Sequence, residues 1–225
     1  MPKTGKASKS NPVSKPNSKK IAQRIVEINP RFLPVIQAAG YCTLGQIDSV
    51  SGNRKKQSNF SSLASSILSQ QLSTKAAATI IERVKRICGG KLSADRLVTL
   101  STSQLRAAGC SEAKARAIRE LAIATRDRQI PMRSLHRKSD EEIMNSLLPL
   151  FGVGQWTVEM FLMFQLGRVD VWPVGDLGVR RGWERVHRLR DEISPQELLK
   201  KGEIYSPFRS HLAWYCWRAN EVLLN

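Results

Sequence analysis

The segment LLPLFGVGQWTVEMFLMFQLGRVDVWPVGDLGVRRG, residues 147–182, combines three features along one continuous run of the chain. An apolar helix end leads into the tight turn FGVG at 151–154, and a strongly apolar segment, 156–166, comes next. A polar loop then places a single carboxylate, Asp176, between a glycine and a leucine. This order predicts two helices joined by a glycine turn, followed by a loop that presents a carboxylate.

The glycine turn is suited to binding an anion. Gly152 and Gly154 lack a Cβ, so their backbone can approach a phosphate closely, and the next helix presents N–H groups and the positive end of its dipole. Close packing of a helical hairpin is the alternative role for both glycines. Asp176 also has two interpretations. Spacing alone favours an N-cap, because Asp176 precedes a helical pattern, and a catalytic carboxylate is the other interpretation.

The rest of the chain has the apolar spacing of short amphipathic helices. Ser73 has the position of an N-cap before the helical pattern 74–88, and Ser139 with Glu142 forms a capping box before 140–148. Glycine and proline separate the patterns, and we find no convincing run with the period of two that strands require. These patterns predict an all-α fold.

The charge balance indicates a polyanionic partner. The 225 residues include 36 Lys and Arg against 19 Asp and Glu, a formal net charge of +17. Nucleic acid is the first candidate and an anionic membrane surface the second. No run of apolar residues is long enough for a transmembrane helix, and the N-terminus has no apolar core of a secretory signal. The composition therefore favours a nucleic-acid-binding protein and indicates no transmembrane helix.

The chain divides by composition into a basic arm and one large domain. Residues 1–20 contain six lysines, no acidic residue and almost nothing apolar, so we expect a disordered arm. The arm could add DNA affinity, act as a nuclear address or simply increase solubility. The domain is expected to comprise residues 21–225.

The cysteines do not suggest a metal site or a disulfide framework. Cys42, Cys88, Cys110 and Cys216 are scattered and form no Cys-x-x-Cys pair, whereas zinc and iron–sulfur sites need clustered thiolates. Reduced cysteines in an intracellular protein are the expected state.

Several ordered segments resemble one family. LPLFGVGQWTVEMFLMF followed by VWPVGDLGVRRG is similar to the helix–hairpin–helix, Gly/Pro…Asp superfamily of DNA glycosylases. ILSQQLSTKAAATI, LRAAGCSEAKARAIREL and SPFRSHLAWYCWRA resemble its 3-methyladenine DNA glycosylase II branch, which acts on alkylated bases. The resemblance covers about residues 21–222. It implies a two-lobed helical fold with a cleft between the lobes, where a damaged base is flipped out of the DNA.

The resemblance also assigns roles to individual residues. Asp176 matches the catalytic Asp, which would stabilise positive charge on the sugar and orient or deprotonate the attacking water. Aromatic walls suit an electron-poor, often cationic alkylated purine. The residues expected in this base pocket are Trp156, Met160 and Trp217. For Trp217 core packing is an equal alternative.

Three further groups of residues follow from the resemblance. Gln71 is the best match for the wedge that fills the space of the flipped base from the minor groove, with Leu72 next and Gln70 beside them. The hairpin residues expected to contact a DNA phosphate are Gly152, Val153, Gly154 and Thr157. The backbone carbonyls that would hold a structural Na⁺ or K⁺ are those of Leu148, Leu150 and Val153.

Two departures from other branches define the expected chemistry. Members that also cleave the strand carry a Lys two residues after the second hairpin glycine, and this chain has Trp156 there. The iron–sulfur members need four closely spaced C-terminal cysteines, and only Cys216 is present. The expectation is therefore a monofunctional enzyme that hydrolyses the N-glycosidic bond of 3-methyladenine and 7-methylguanine, without a cofactor other than the cation.

The expected setting follows from this activity. The partner is double-stranded DNA with damaged bases, and the protein is a monomer that acts with DNA inside the cell, in a nucleus or a bacterial nucleoid. Two alternatives stay open: a glycosylase for another lesion, such as uracil or a mismatched base, and a non-catalytic DNA-binding protein that uses the hairpin only for phosphate contact.

Overall fold

The computed structural model describes residues 17–44 and 57–223, and within these ranges the chain is helical and forms no β-strand. This confirms the all-α prediction. The α-helices in chain order are α1 Ser18–Ile28, α2 Leu33–Ala39, α3 Asn59–Ser69, α4 Thr74–Ile87, α5 Ala94–Thr99, α6 Thr102–Ala107, α7 Glu112–Arg126, α8 Asp140–Leu147, α9 Gln155–Met160, α10 Leu177–His187, α11 Pro195–Gly202 and α12 Arg209–Val222.

Polar side chains begin most of these helices, as the sequence predicts. The Ser73 hydroxyl accepts a hydrogen bond from the Ala76 N–H, so Ser73 caps α4. Ser139 and Glu142 exchange the reciprocal bonds of a capping box at α8. Each such cap satisfies a backbone group that the first helical turn leaves unpaired. The short lengths of the helices therefore come from frequent caps and turns in the sequence.

Two groups of helices form the two lobes. Helices α1 and α2 pack with α10 and α12, and α11 joins them through the turn Glu203–Tyr205. Helix α7 packs against α3, α5 and α6, while α4, α8 and α9 complete the second group. One continuous apolar core runs through both. The terminal helices thus form one lobe and α3–α9 the other, which confirms the two-lobed prediction.

The connection between the lobes starts with an irregular helix. Helix α9 continues as a π-helix, Phe161–Gln165, before a loop leads to α10. An ion pair fixes the loop to the last helix, because the Arg209 Nε lies 2.7 Å from Asp170 Oδ1. The Arg209 guanidinium helps to hold the pKa of Asp170 below its usual range, against the opposing effect of burial. The ion pair therefore holds the start of the segment that leads to Asp176.

The start of the first helix corrects one predicted boundary. Helix α1 begins at Ser18, since the Asn17 side chain accepts hydrogen bonds from the Lys19 and Lys20 N–H groups. Three residues assigned to the basic arm thus belong to the folded domain. Residues 1–16 lie outside the described residues, so the disordered arm stays a prediction. In the part of the chain that the structure describes, no helix is long and apolar enough to cross a bilayer.

The buried side chain of His211 is expected to make the stability of the fold depend on pH. It is 1% exposed, and neither ring nitrogen has a hydrogen-bond partner within the described residues. Burial lowers its pKa to about 4 from 6.5. Below pH 6.5 the unfolded chain binds a proton that the folded protein excludes, so the wild type loses stability as the pH falls, by about 2 kcal/mol between pH 7 and 5.

His211→Leu removes this group and its two unpaired nitrogens. We expect it to raise the free energy of unfolding by about 1–2 kcal/mol at pH 7 and by more at pH 5. Urea unfolding at both pH values measures this. His136→Leu, at an exposed histidine, serves as the control, and a His211→Leu advantage that does not grow at pH 5 would contradict the argument.

Candidate active site

The Asp176 carboxylate is both a helix cap and the centre of a polar cluster. Its Oδ1 accepts the Val179 N–H at 2.8 Å and so caps α10. The same oxygen accepts the indole N–H of Trp217 at 2.9 Å, and Oδ2 accepts that of Trp156 at 2.6 Å. Asp176 can therefore be a helix cap and a catalytic carboxylate at once, because Oδ1 forms the cap and Oδ2 does not take part in it.

These contacts join the two lobes at one point. Asp176 caps α10 and Trp217 lies on α12, both in the terminal lobe, whereas Trp156 lies on α9 of the other lobe. Gly178 makes the contact possible, since a Cβ there would lie 2.9 Å from Trp217 Cδ1 and 3.1 Å from Asp176 Oδ1. Asn220 also ties the helices together by donating to the Gly178 carbonyl at 2.8 Å. The carboxylate thus lies where the predicted cleft should be.

Aromatic faces surround the carboxylate and remain accessible. Trp156 is 48% exposed and Phe164 is 56% exposed. The Phe164 ring stacks on Trp217, with centroids 5.7 Å apart. Met160 is half-buried, packs on the core and lies one helical turn after Trp156. The structure therefore brings Trp156, Met160 and Trp217 to one region, as the base-pocket prediction requires, and adds Phe164.

Sequence reasoning did not select Phe164, although a signal was present. It lies four residues after Met160 and eight after Trp156, which is the spacing of one helical face. Glu159 was missed in the same way. It is only 4% exposed, accepts a hydrogen bond from the Gln155 side chain at 2.9 Å, and has a pKa raised by burial and by the charge of Asp176. The site thus has a second, more buried carboxyl group.

The hydrogen-bond donors to the catalytic candidate are neutral groups among the described residues. In the part of the chain that the structure describes, Asp176 accepts its side-chain hydrogen bonds from two indoles and one backbone N–H, and no Lys or Arg donates to it. Burial and the charge of Asp176 together raise the pKa of the neighbouring Cys216 thiol. A carboxylate surrounded by neutral donors and aromatic faces is an environment that attracts a cation.

The hairpin between α8 and α9 only partly fits the predicted phosphate site. The Val153 N–H donates to the Leu150 carbonyl at 3.1 Å, so it is not available to a phosphate through that bond. Within the described residues, the N–H groups of Gly152 and Gly154 form no backbone hydrogen bond. Thr157 is 3% exposed, and its hydroxyl accepts from Gln70. The Thr157 hydroxyl is therefore engaged inside the protein, and the phosphate contact expected at Thr157 stays a prediction.

The predicted wedge residues also separate into two groups. Gln71 and Leu72 are exposed, and Gln71 adopts a left-handed backbone with φ 56°. Gln70 is directed inward, since its amide donates to the Gly152 carbonyl at 3.0 Å and to Thr157 Oγ1 at 3.2 Å. The Gln70 side chain thus bridges to the hairpin, and its expected place beside the wedge stays a prediction.

The described residues contain no cluster of the side chains that usually bind metal ions. Among residues 17–44 and 57–223, no three His, Cys, Asp or Glu side chains could hold a metal ion together. All four cysteines are buried and form no disulfide. Burial raises the pKa of Cys42 to about 12 and that of Cys110 to about 11, so these thiols are poor nucleophiles at neutral pH.

An all-α fold of two lobes, with a glycine hairpin and a carboxylate where the lobes meet, is the arrangement that the resemblance to helix–hairpin–helix DNA glycosylases implies. Comparison with known proteins gives the family. Residues 64–207 match the family described as HhH-GPD superfamily base excision DNA repair protein. The chain belongs to this helix–hairpin–helix superfamily of base excision DNA repair proteins.

Individual relatives agree with this assignment. The chain is 36% identical over 171 residues to DNA-3-methyladenine glycosylase 1 of Schizosaccharomyces pombe, covering 75% of each chain. A solved S. pombe 3-methyladenine DNA glycosylase in complex with abasic DNA has a TM-score of 0.75 at 32% identity, covering 88% of this chain and 95% of that one. A Bacillus halodurans DNA-3-methyladenine glycosidase has a TM-score of 0.76 at 33% identity, covering 88% of both.

Proposed function

We propose that the protein excises alkylated purines, 3-methyladenine and 7-methylguanine, from double-stranded DNA by hydrolysis alone. The observation that carries this proposal is the Asp176 carboxylate, which has neutral donors and exposed aromatic faces around it and no cationic partner within the described residues. Such a site favours a lesion that is itself positively charged. The names of the relatives support the same substrate class.

The chemistry assigns different roles to the two carboxylate oxygens. Oδ1 already accepts two hydrogen bonds and Oδ2 accepts one, so Oδ2 has more capacity for a water molecule. As the bond between the sugar C1′ and the base breaks, its electron pair neutralises the positive charge of the methylated purine. The carboxylate stabilises the developing charge on the sugar. The water oxygen then adds to C1′, and its proton goes to Asp176.

The DNA contacts of the proposal come from two loops. The exposed Gln71, with Leu72 beside it, fills the space that the flipped base leaves. The N–H groups of Gly152 and Gly154 approach a backbone phosphate. Both loops lie on the lobe formed by α3–α9, so this lobe holds the DNA while the other lobe supplies Asp176.

A monovalent cation at the hairpin is part of the proposal. The residues fit such an ion, because the carbonyls of Leu148 and Val153 accept no turn or cap hydrogen bond within the described residues. The Leu150 carbonyl accepts only the Val153 N–H there, and a carbonyl oxygen has a second lone pair. A bound cation would add positive charge beside the phosphate. The carbonyls of Leu148, Leu150 and Val153 would hold the ion.

Absence of strand cleavage, absence of an iron–sulfur cluster and a monomeric state are further parts of the proposal. Trp156 occupies the position of the lysine that forms a Schiff base in lyases, and its indole is engaged with Asp176. The protein associates with DNA inside the cell, in the nucleus or the nucleoid according to its source.

Excision from methylated DNA tests the proposal. We expect the purified protein to release 3-methyladenine and 7-methylguanine and to leave abasic sites, which break only after heating in alkali. Duplexes with uracil or a mismatched thymine measure the alternative lesions. Strand breaks without alkali would contradict the monofunctional proposal, and DNA binding without release of any base would favour the non-catalytic alternative.

A further inference from the structure

Helix α7 contacts both loops that the proposed function places on DNA. We call residues 69–72 the wedge loop and residues 148–154 the hairpin. Near the start of α7, the Lys114 ammonium donates to the carbonyls of Leu68 at 2.9 Å and Gln70 at 2.7 Å. A side chain of α7 thus binds the wedge loop, although Lys114 and Gln70 are 44 residues apart in the sequence.

The next turns of α7 hold the hairpin. A Cβ at Gly152, where φ is +76°, would lie 2.7 Å from the Ala117 Cβ, so only glycine permits this approach. The Phe151 N–H donates to Glu120 Oε2 at 3.2 Å. The Arg116 guanidinium lies 4.0 Å from the Phe151 ring centroid. Lys114 and Ala117 are three residues apart and therefore lie on neighbouring positions of one helix surface.

A direct bond between the loops completes the connection. The Gln70 side chain donates to the hairpin carbonyl of Gly152 and to the buried Thr157 hydroxyl. The backbone carbonyl of the same Gln70 accepts from Lys114. Gln70 is therefore fixed on both its side chain and its backbone, immediately before the exposed Gln71.

The contacts that fix Gln70 explain how the next residue, Gln71, maintains an unfavourable backbone conformation. A left-handed φ of 56° is uncommon for glutamine and persists only where surrounding contacts impose it. Lys114 supplies such contacts at the carboxyl end of α3, where the negative end of the helix dipole also attracts its charge. Burial lowers the pKa of Lys114, and no carboxylate pairs with it within the described residues.

We propose that Lys114 is a positioning residue for base flipping: it fixes the wedge loop against the hairpin, so that Gln71 is set for insertion before DNA binds. This inference rests on the proposed function. A loop ordered in advance does not lose conformational freedom when the wedge enters the duplex. Loss of Lys114 should therefore slow reactions that need the wedge more than reactions that do not.

Lys114→Met tests the inference on two substrates under single-turnover conditions. One carries 7-methylguanine in a fully paired duplex, and the other carries it in a single-nucleotide bulge, where there is no opposite base to separate. We expect the excision rate to fall about 10- to 100-fold on the paired duplex and about threefold or less on the bulge. Lys114→Arg should restore most of the paired rate, because it keeps a charged donor. Lys138→Met, at a surface lysine paired with Glu142, is the matched control.

The outcomes separate the inference from the proposed function. Equal losses on both substrates, or no loss on either, would overturn the role of Lys114. A wild-type protein that releases no methylated base from either substrate would overturn the proposed function and the inference with it. If thermal melting shows that Lys114→Met does not fold, Gln70→Leu is the second test of the inference. This variant breaks the connection between the wedge loop and the hairpin at a half-buried side chain. It is expected to lower the excision rate on the paired duplex more than on the bulge.

Discussion

Asp176→Asn is expected to lower the rate of base excision by about 100-fold or more. The amide has no negative charge for the developing sugar cation and cannot accept the proton of the attacking water. Its oxygen can still accept the Val179 N–H, so the cap of α10 survives. The Trp156 indole N–H then faces the amide nitrogen at the Oδ2 position. Loss of the Trp156 hydrogen bond should lower the free energy of unfolding by about 1 kcal/mol, which is far too little to unfold the domain.

Single-turnover excision of 7-methylguanine, together with affinity for abasic DNA and a thermal melt, measures this prediction. DNA affinity should change little, because the hairpin and the wedge loop are intact. Asp191→Asn, at an exposed aspartate, matches the change in charge and should behave as wild type. An Asp176→Asn protein that excises at the wild-type rate would show that the carboxylate is only a helix cap.

The helices were predictable because their signals are local. Capping serines such as Ser73 and Ser139 act within one helical turn, and apolar spacing reports which side of each helix packs. The grouping into lobes was not local, and it came from the family resemblance. The ends of helices differ from prediction by a few residues where a cap lies further out than the apolar pattern, as Asn17 does before α1.

Site features that depend on neighbouring residues in the sequence were predictable, and contacts between distant segments were not. The N-cap role of Asp176 was predicted from spacing and is confirmed by the Val179 N–H bond, whereas its two tryptophan partners were not predicted. Gln70 and Thr157 were assigned to DNA because the sequence does not show side-chain direction, yet the two bond to each other. Lys114 could not have been selected, because its partners lie 44 and 46 residues away and are backbone carbonyls, which have no sequence signature.

Gly182→Ala is expected to destabilise the protein by about 3 kcal/mol and to lower excision with it. Helices α10 and α12 approach so closely at this residue that a Cβ would lie 1.8 Å from the Cys216 carbonyl oxygen. The obstacle is backbone, which no rotamer change can move away, so the two helices must separate. Trp217 follows Cys216 directly and donates to Asp176, so the separation also moves the indole away from the carboxylate.

Gly175→Ala is the control that separates this steric cause from a general loss of glycine. It lies in the loop before Asp176, and a Cβ there would meet nothing within 4 Å. Urea unfolding should therefore give Gly175→Ala a stability within about 0.5 kcal/mol of wild type, while Gly182→Ala unfolds at clearly lower urea. Equal stability of the two variants would contradict the close approach of α10 to α12. Because that approach places Trp217 on Asp176, equal stability would also remove the structural basis for the arrangement of the site.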